Sequence, residues 1–151
     1  MKNKQLVLLK LGGSLITDKN KPFSARREVI IRLGKEIKLA MCKFAGKLII
    51  AHGSGSFGHS VAEKYKVAEG TGKKESWRGL PLVADAAIRI NRIVMEDLLK
   101  VGLPVISFAP SSLIIANNQQ PADNFAEPIS QSLKWGLIPV LYGDIVFDRK
   151  R

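Results

Sequence analysis

Gln5-Leu6-Val7-Leu8-Leu9-Lys10-Leu11-Gly12-Gly13-Ser14 decides how the rest of the chain reads. A short apolar run ended by two glycines and a serine reads as a buried strand entering a tight loop. The pattern returns at Lys47-Leu48-Ile49-Ile50-Ala51, which enters His52-Gly53-Ser54-Gly55-Ser56-Phe57-Gly58-His59. Between the two, from Arg26 onward, Val29, Ile30, Leu33, Ile37, Ala40, Met41 and Phe44 recur at helical spacing. Ser24 is the candidate N-cap of that helix and Gly46 its candidate stop.

Further along, a short helix is expected over Ser60–Tyr65 and a polar loop over residues 66–79. Leu82, Val83, Ala86, Ala87, Ile90, Ile93, Val94 and Leu98 mark a long helix closed near Gly102. Pro104–Phe108 is expected to be a strand, Asn117–Asn124 a loop, and Glu127–Trp135 a helix stopped by Gly136. Ile138–Tyr142 and Ile145–Phe147 read as strands flanking Gly143-Asp144. Strands alternating with helices imply right-handed crossovers and an α/β fold, a mainly parallel sheet sandwiched by helices. No partner strand is expected after the last one, so Asp148-Arg149-Lys150-Arg151 reads as stopping in mid-hairpin.

The 151 residues suit one domain with a substantial core. No apolar run reaches the ~18 residues of a membrane span, and the N-terminus shows no secretory cleavage site. One cysteine, Cys42, excludes an internal disulfide and a cysteine-based zinc site, and a reducing cytoplasm is the expected setting. There are 24 Lys and Arg against 13 Asp and Glu, a net charge of +11. Residues 1–50 hold 12 basic and 3 acidic residues, so the excess lies where the glycine loops lie. A cationic surface suits phosphates or nucleic acid, although a merely solvated face explains most of these lysines, Lys73 and Lys74 among them. Basic and aromatic residues do not interleave, so a nucleic-acid module is the weaker alternative.

In a parallel sheet, the loops after the strands share one edge, where ligands bind. Glycines there let backbone N–H groups approach an anion closely, and a following helix N-terminus adds partial positive charge. Lys10, at what reads as a buried strand end, and Lys19, in the next loop, can reach the same phosphates. An unpaired buried lysine is costly, which argues for function at Lys10. Gly53–Gly58 fits G-x-G-x-x-G, but no acidic residue follows at the distance a dinucleotide site needs, and no Walker A sequence occurs. Spacing alone leaves a phosphate site. Trp77, Ile90 and Val94 are candidates for an apolar pocket, with plain core the simpler reading. His52 can serve merely to bond backbone.

Taken together, Lys10-Leu11-Gly12-Gly13-Ser14, Asp18-Lys19, Pro22-Phe23-Ser24, the His52–His59 loop and Pro139–Val146 resemble the amino acid kinase superfamily. Within it they most resemble the isopentenyl phosphate kinases, with His59 the discriminating residue; the related fosfomycin kinases have an equivalent histidine. The resemblance implies transfer of the γ-phosphoryl of ATP to isopentenyl phosphate, giving isopentenyl diphosphate for isoprenoid synthesis. It implies Mg²⁺ carried by the nucleotide, no protein-held metal, a small-molecule phosphate substrate and a homodimer at full length. By motif position, Lys10 would bridge the ATP phosphates and the moving group, and Lys19 would meet the β/γ-phosphate. Gly12, Gly13 and Ser14 would donate amides to ATP, with Gly55 sharing that role. Ser54, Gly55, His59 and Gly143 would hold the acceptor, and Asp144 would orient the two lysines.

The chain departs from this pattern in two ways. Ser54 stands where relatives commonly have glycine, which a serine tolerates only at negative or mildly left-handed φ. Residues 1–151 resemble the acceptor-binding part alone, with no match to the nucleotide-binding part, so the chain by itself is expected not to turn over ATP.

Overall fold

A computed structural model describes residues 5–67 and 74–150, the side chains of 74–76 excepted. The expectation for Lys73 and Lys74 lies outside these described residues.

Four strands form one parallel sheet: β1 (Leu6–Leu11), β2 (Lys47–His52), β3 (Val105–Phe108) and β6 (Ile138–Tyr142), in the order β1-β2-β6-β3. The register pairs Lys10 with Ala51 and Leu11 with His52. His52 in turn pairs with Tyr142. Both glycine loops and Gly143 therefore leave the sheet at one level of one edge. Alternate residues of each strand face opposite sides. Val7, Leu9, Leu11, Leu48, Ile50 and Val140 share the side that carries the core. On the other side Leu6, Leu8 and Lys10 are exposed. The expected burial of Lys10 is thus incorrect, and the cost of a buried charge gives no argument for its role.

Helices α2 (Arg27–Met41) and α4 (Lys74–Lys100) cover the core side. They contribute Ile30, Ile37, Ile90, Val94 and Leu98, all buried. Ile90 and Val94 are therefore core residues, not pocket lining. Gly34 brings the two helices together, since a Cβ there would stand 3.1 Å from Leu98 Cδ2. The crossing is pinned by Arg27, whose guanidinium donates to Asp97 at 2.6 Å and to Glu96 at 2.8 Å. Asp97 is fully buried. The return from β3 to β6 reverses direction, so a right-handed crossover places α5 (Glu127–Lys134), which packs on β6, on the opposite face.

Several elements differ from the sequence expectations. α2 is preceded by Arg26 with no side-chain cap, so Ser24 does not cap it, and it ends at Met41, well before Gly46. α3 (Gly55–Lys64) starts five residues before Ser60, so the second glycine loop is itself a helix N-terminus. α4 starts at Lys74 and runs through Gly79 and Pro81, residues that read as breakers. Gly79 is tolerated because Tyr65 fills the space beside it.

The segment expected to be a loop forms a hairpin of β4 (Ile114–Asn117) and β5 (Gln120–Asn124). Asn118 and Gln119 both have positive φ, as a two-residue mirror-image turn requires. Their amides donate to the Asp148 carboxylate at 3.0 and 2.6 Å, which holds a turn the residues alone would not favour. β7 (Phe147–Asp148) pairs parallel with β4 and completes a second, three-stranded sheet; the strand expected over Ile145–Phe147 is thus shifted to Phe147–Asp148.

The α2–α4 clamp yields a testable consequence. Asp97→Ala leaves a charge-lined void at the crossing and is expected to lower the thermal midpoint by roughly 5 °C or more. The exposed Glu96→Ala should move it by no more than about 2 °C. Equal shifts in thermal melts would contradict this placement of the clamp.

Candidate functional site

Two turns built for close approach set the geometry. β1 ends at Leu11, and Gly13–Ile16 forms a single helical turn, α1, whose Gly12 carbonyl accepts the Leu15 amide at 2.9 Å. β2 ends at His52, and Gly53-Ser54 leads directly into α3. The backbones nearly touch. A Cβ on Gly13 would lie 2.7 Å from the Gly55 nitrogen and 2.8 Å from its Cα. A Cβ on Gly53 would lie 2.9 Å from the Gly13 nitrogen. Gly55 also has φ +51, a conformation that side chains rarely adopt. Only glycine fits at Gly13 and Gly55 without moving one loop off the other.

The junction leaves donors without acceptors. Among the described residues, the amides of Gly13, Ser14, Ser54 and Gly55 donate no hydrogen bond to protein. They gather at the N-terminus of α3, where the helix dipole adds roughly half a positive charge. Such an arrangement binds anions. Ser54, at φ −77 and ψ −16, sits in ordinary helical space, so a serine replaces the usual glycine there without strain. Its side chain packs beside Gly58, where any Cβ would meet the Ser54 hydroxyl.

A cleft of about 680 Å³ opens over these amides. Lys10 and Lys19 line it from the first strand and the following loop, and His59 lines it from α3. All three side chains are exposed to solvent. Gly12, Gly13, Ser14, Ser54, Gly55 and Gly143 line the same cleft. Gly143 is placed by its amide, which donates to the His52 carbonyl at 2.9 Å. Every residue given a phosphate-handling role by motif position therefore meets at one cavity, with one exception. The Asp144 carboxylate accepts the Ile145 amide at 2.8 Å and the Ser111 amide at 3.2 Å. It makes no ion pair with Lys10 or Lys19 among the described residues, because it ties the end of β6 to the Pro110–Ser112 turn.

His52 lies behind the cleft, not in it. It is 3% exposed and stacks on Tyr142 at 5.9 Å between centroids. Its Nδ1 stands 3.0 Å from the Gly53 carbonyl oxygen and its Nε2 3.3 Å from Asn91 Oδ1, two acceptors of which a neutral ring can donate to one. Burial holds the imidazole pKa below its ordinary value, against the opposing pull of those two partners. Trp77 lies at a second cleft of about 390 Å³, with Leu80, Ile145, Val146 and Phe147 beside the polar Asp148, Arg149 and Lys150.

Sequence reasoning missed Thr17, Phe23 and Ser56. Thr17 and Ser56 are buried at the loop junction, and the Phe23 ring packs edge-on against Phe57 at 5.3 Å. The one available signal was a hydroxyl residue directly after apolar Leu15-Ile16, between two glycine motifs. Among the described residues, no group of three or more His, Cys, Asp or Glu is placed to hold a metal, and no helix is long and apolar enough to cross a membrane. The donors present suit phosphates: four free amides, two ammonium groups and an imidazole.

Comparison with known proteins agrees with this geometry. The family model described as the amino acid kinase family matches residues 5–151. The isopentenyl phosphate kinase of Methanocaldococcus jannaschii is 39% identical over 96% of this chain and 58% of its own length. That of Methanothermobacter thermautotrophicus is 34% identical over 97% of this chain and 56% of its own. A solved isopentenyl phosphate kinase superposes with a TM-score of 0.88 at 34% identity, covering 97% of this chain and 60% of that one. The Thermoplasma acidophilum isopentenyl phosphate kinase product complex superposes at 0.78 with 28% identity, covering 98% and 58%. The chain thus spans a little under three-fifths of the length of the curated relatives it matches.

The buried histidine gives a pH prediction. With its folded pKa depressed, the unfolded chain binds more protons as pH falls below about 6.5. The contribution of His52 to stability is present above that pH and is lost as pH falls toward the depressed folded value. Thermal midpoints should decline between pH 7.5 and 5, and His52→Gln should flatten that decline. An unchanged slope in the variant would contradict a buried neutral ring.

Proposed function

Because this chain belongs to the amino acid kinase family, we propose that it is the acceptor-binding part, residues 1–151, of an ATP-dependent kinase acting on isopentenyl phosphate. The observation that carries the proposal is the single cleft shared by Lys10, Lys19, His59 and the two glycine loops. Identity of 39% to an isopentenyl phosphate kinase along nearly the whole chain supports isopentenyl phosphate as the substrate.

In this reading an oxygen of the acceptor phosphate attacks the γ-phosphorus of ATP. The bond from that phosphorus to the β–γ bridging oxygen breaks, and ADP departs. The acceptor oxygen is already anionic at neutral pH, so no strong general base is required. Phosphoryl transfer then depends on positioning and on offsetting negative charge. Ser54 and Gly55 amides hold the acceptor phosphate at the positive end of α3, and His59 adds a hydrogen-bond donor from the next turn. Gly12, Gly13 and Ser14 face the donor phosphates from the other loop. Lys10 lies between the two sets, and Lys19 closes the cleft from its loop. Fixed donors of this kind are worth most where charge develops in the transition state. Mg²⁺ arriving with the nucleotide supplies further neutralisation. A cytoplasmic setting supplies ATP, and a homodimer of the full-length protein is part of the proposal.

Trp77, Leu80, Ile145, Val146 and Phe147 on the second cleft, beside Asp148, Arg149 and Lys150, are the residues we take as candidates for an apolar tail, Ile145 being two residues from Gly143.

Calorimetric titration tests the reading. Isopentenyl phosphate is expected to bind the chain at least tenfold more tightly than fosfomycin. Lys10→Ala and His59→Ala should each weaken it about 10- to 100-fold, as the loss of one charge-assisted hydrogen bond would. Binding unaffected by both substitutions, or a preference for fosfomycin, would overturn the assignment.

A further inference from the structure

We propose that Thr17 is a positioning residue for this cleft, its one hydroxyl coupling the two glycine loops and the segment that carries Lys19. The inference rests on the reading of the cleft as a phosphoryl-transfer site. Thr17 is fully buried and follows α1 in extended conformation. Its Oγ1 donates to the Gly13 carbonyl at 2.7 Å and accepts the Ser56 amide at 3.0 Å. One bond holds the first loop, and the other holds the first turn of α3. Among side-chain groups of this size, only a hydroxyl donates and accepts from one atom.

The Ser56 peptide is gripped from its other side as well. Its carbonyl accepts the Phe23 amide at 3.4 Å. Phe23 has φ +55, an uncommon conformation for a bulky residue, and its ring packs edge-on against Phe57. Residues 18–22, Lys19 among them, are therefore strung between two anchors, Thr17 and Phe23, that both fasten to Ser56. Thr17 also determines which amides remain for a ligand. It consumes the Ser56 N–H and leaves those of Ser54 and Gly55 without an acceptor. It further accounts for the residue at position 55: a Cβ on Gly55 would lie 2.1 Å from Thr17 Oγ1. The hydroxyl occupies the space a side chain there would need.

A general loss of stability predicts a different outcome from a loss of loop registry. Isopentenyl phosphate is titrated into the wild-type chain and into Thr17→Val, Thr17→Ser and the core control Ile30→Val, with thermal midpoints recorded for each. Thr17→Val keeps the shape and removes both bonds; its affinity should fall at least tenfold. Thr17→Ser retains the hydroxyl and should stay within threefold of wild type, as should Ile30→Val despite its lower midpoint. If Thr17→Val does not fold, Thr17→Ala replaces it, with at least a threefold loss expected. Wild-type affinity in the hydroxyl-free variant, or an equal loss in Ile30→Val, would overturn the role of Thr17 while leaving the site reading intact. Failure of the wild-type chain to bind isopentenyl phosphate would instead overturn the site reading, and this inference with it.

Discussion

The molecule is organised around one contact, the approach of the Gly13 and Gly53–Gly55 backbones to within distances that no Cβ could share. Side chains keep peptide groups apart; their absence here lets two turns from adjacent strands lie against each other. Once together, the turns leave the amides of Gly13, Ser14, Ser54 and Gly55 without a protein acceptor among the described residues. An unmet donor is costly unless solvent or a ligand takes it. The site is thus a place where the fold leaves hydrogen-bonding capacity unspent, and phosphate oxygens are the acceptors that match it.

The scaffold makes that contact reproducible. Parallel pairing of β1 with β2 and of β2 with β6 brings Leu11, His52 and Tyr142 to one level. The turns that follow have little freedom in where they start. α2 and α4 pack one side of the sheet through Ile30, Ile90 and Leu98, with Arg27 and the buried Asp97 locking their crossing. Beneath the cleft, His52, Asn91 and Ser107 form a buried polar chain, Asn91 donating to Ser107 at 2.7 Å. Rigid support of this kind suits a reaction that depends on where groups are held.

Much of this was legible in the sequence, because glycine after an apolar run has few physical explanations. Both strands, both loops and the residues that line the cleft follow from that pattern and from family resemblance. What was not legible came from tertiary partners. Lys10 reads as buried when its strand is taken alone, yet it shares with Leu6 and Leu8 the side of β1 that is exposed. Asp144 reads as a partner for lysines, but nearby amides at Ser111 and Ile145 claim its carboxylate first. The β4–β5 hairpin is exposed throughout its second strand, which lacks any large apolar residue, and its turn is held by Asp148 from a distant segment. α3 starts early because Gly55, in left-handed space, enters the helix directly from the strand. Thr17 carried only the faint signal of a hydroxyl between two glycine motifs, since its importance lies in what reaches it from Ser56.

Amide chemical-shift mapping of the uniformly ¹⁵N-labelled chain with isopentenyl diphosphate, whose two phosphates span the acceptor and transferred positions, tests the convergence of the two loops most directly. The account predicts that Gly13, Ser14, Ser54 and Gly55 shift together along one saturable binding curve, with the hairpin amides of Ile114–Asn124 unmoved. Shifts confined to one loop, or two loops titrating with unrelated affinities, would contradict it.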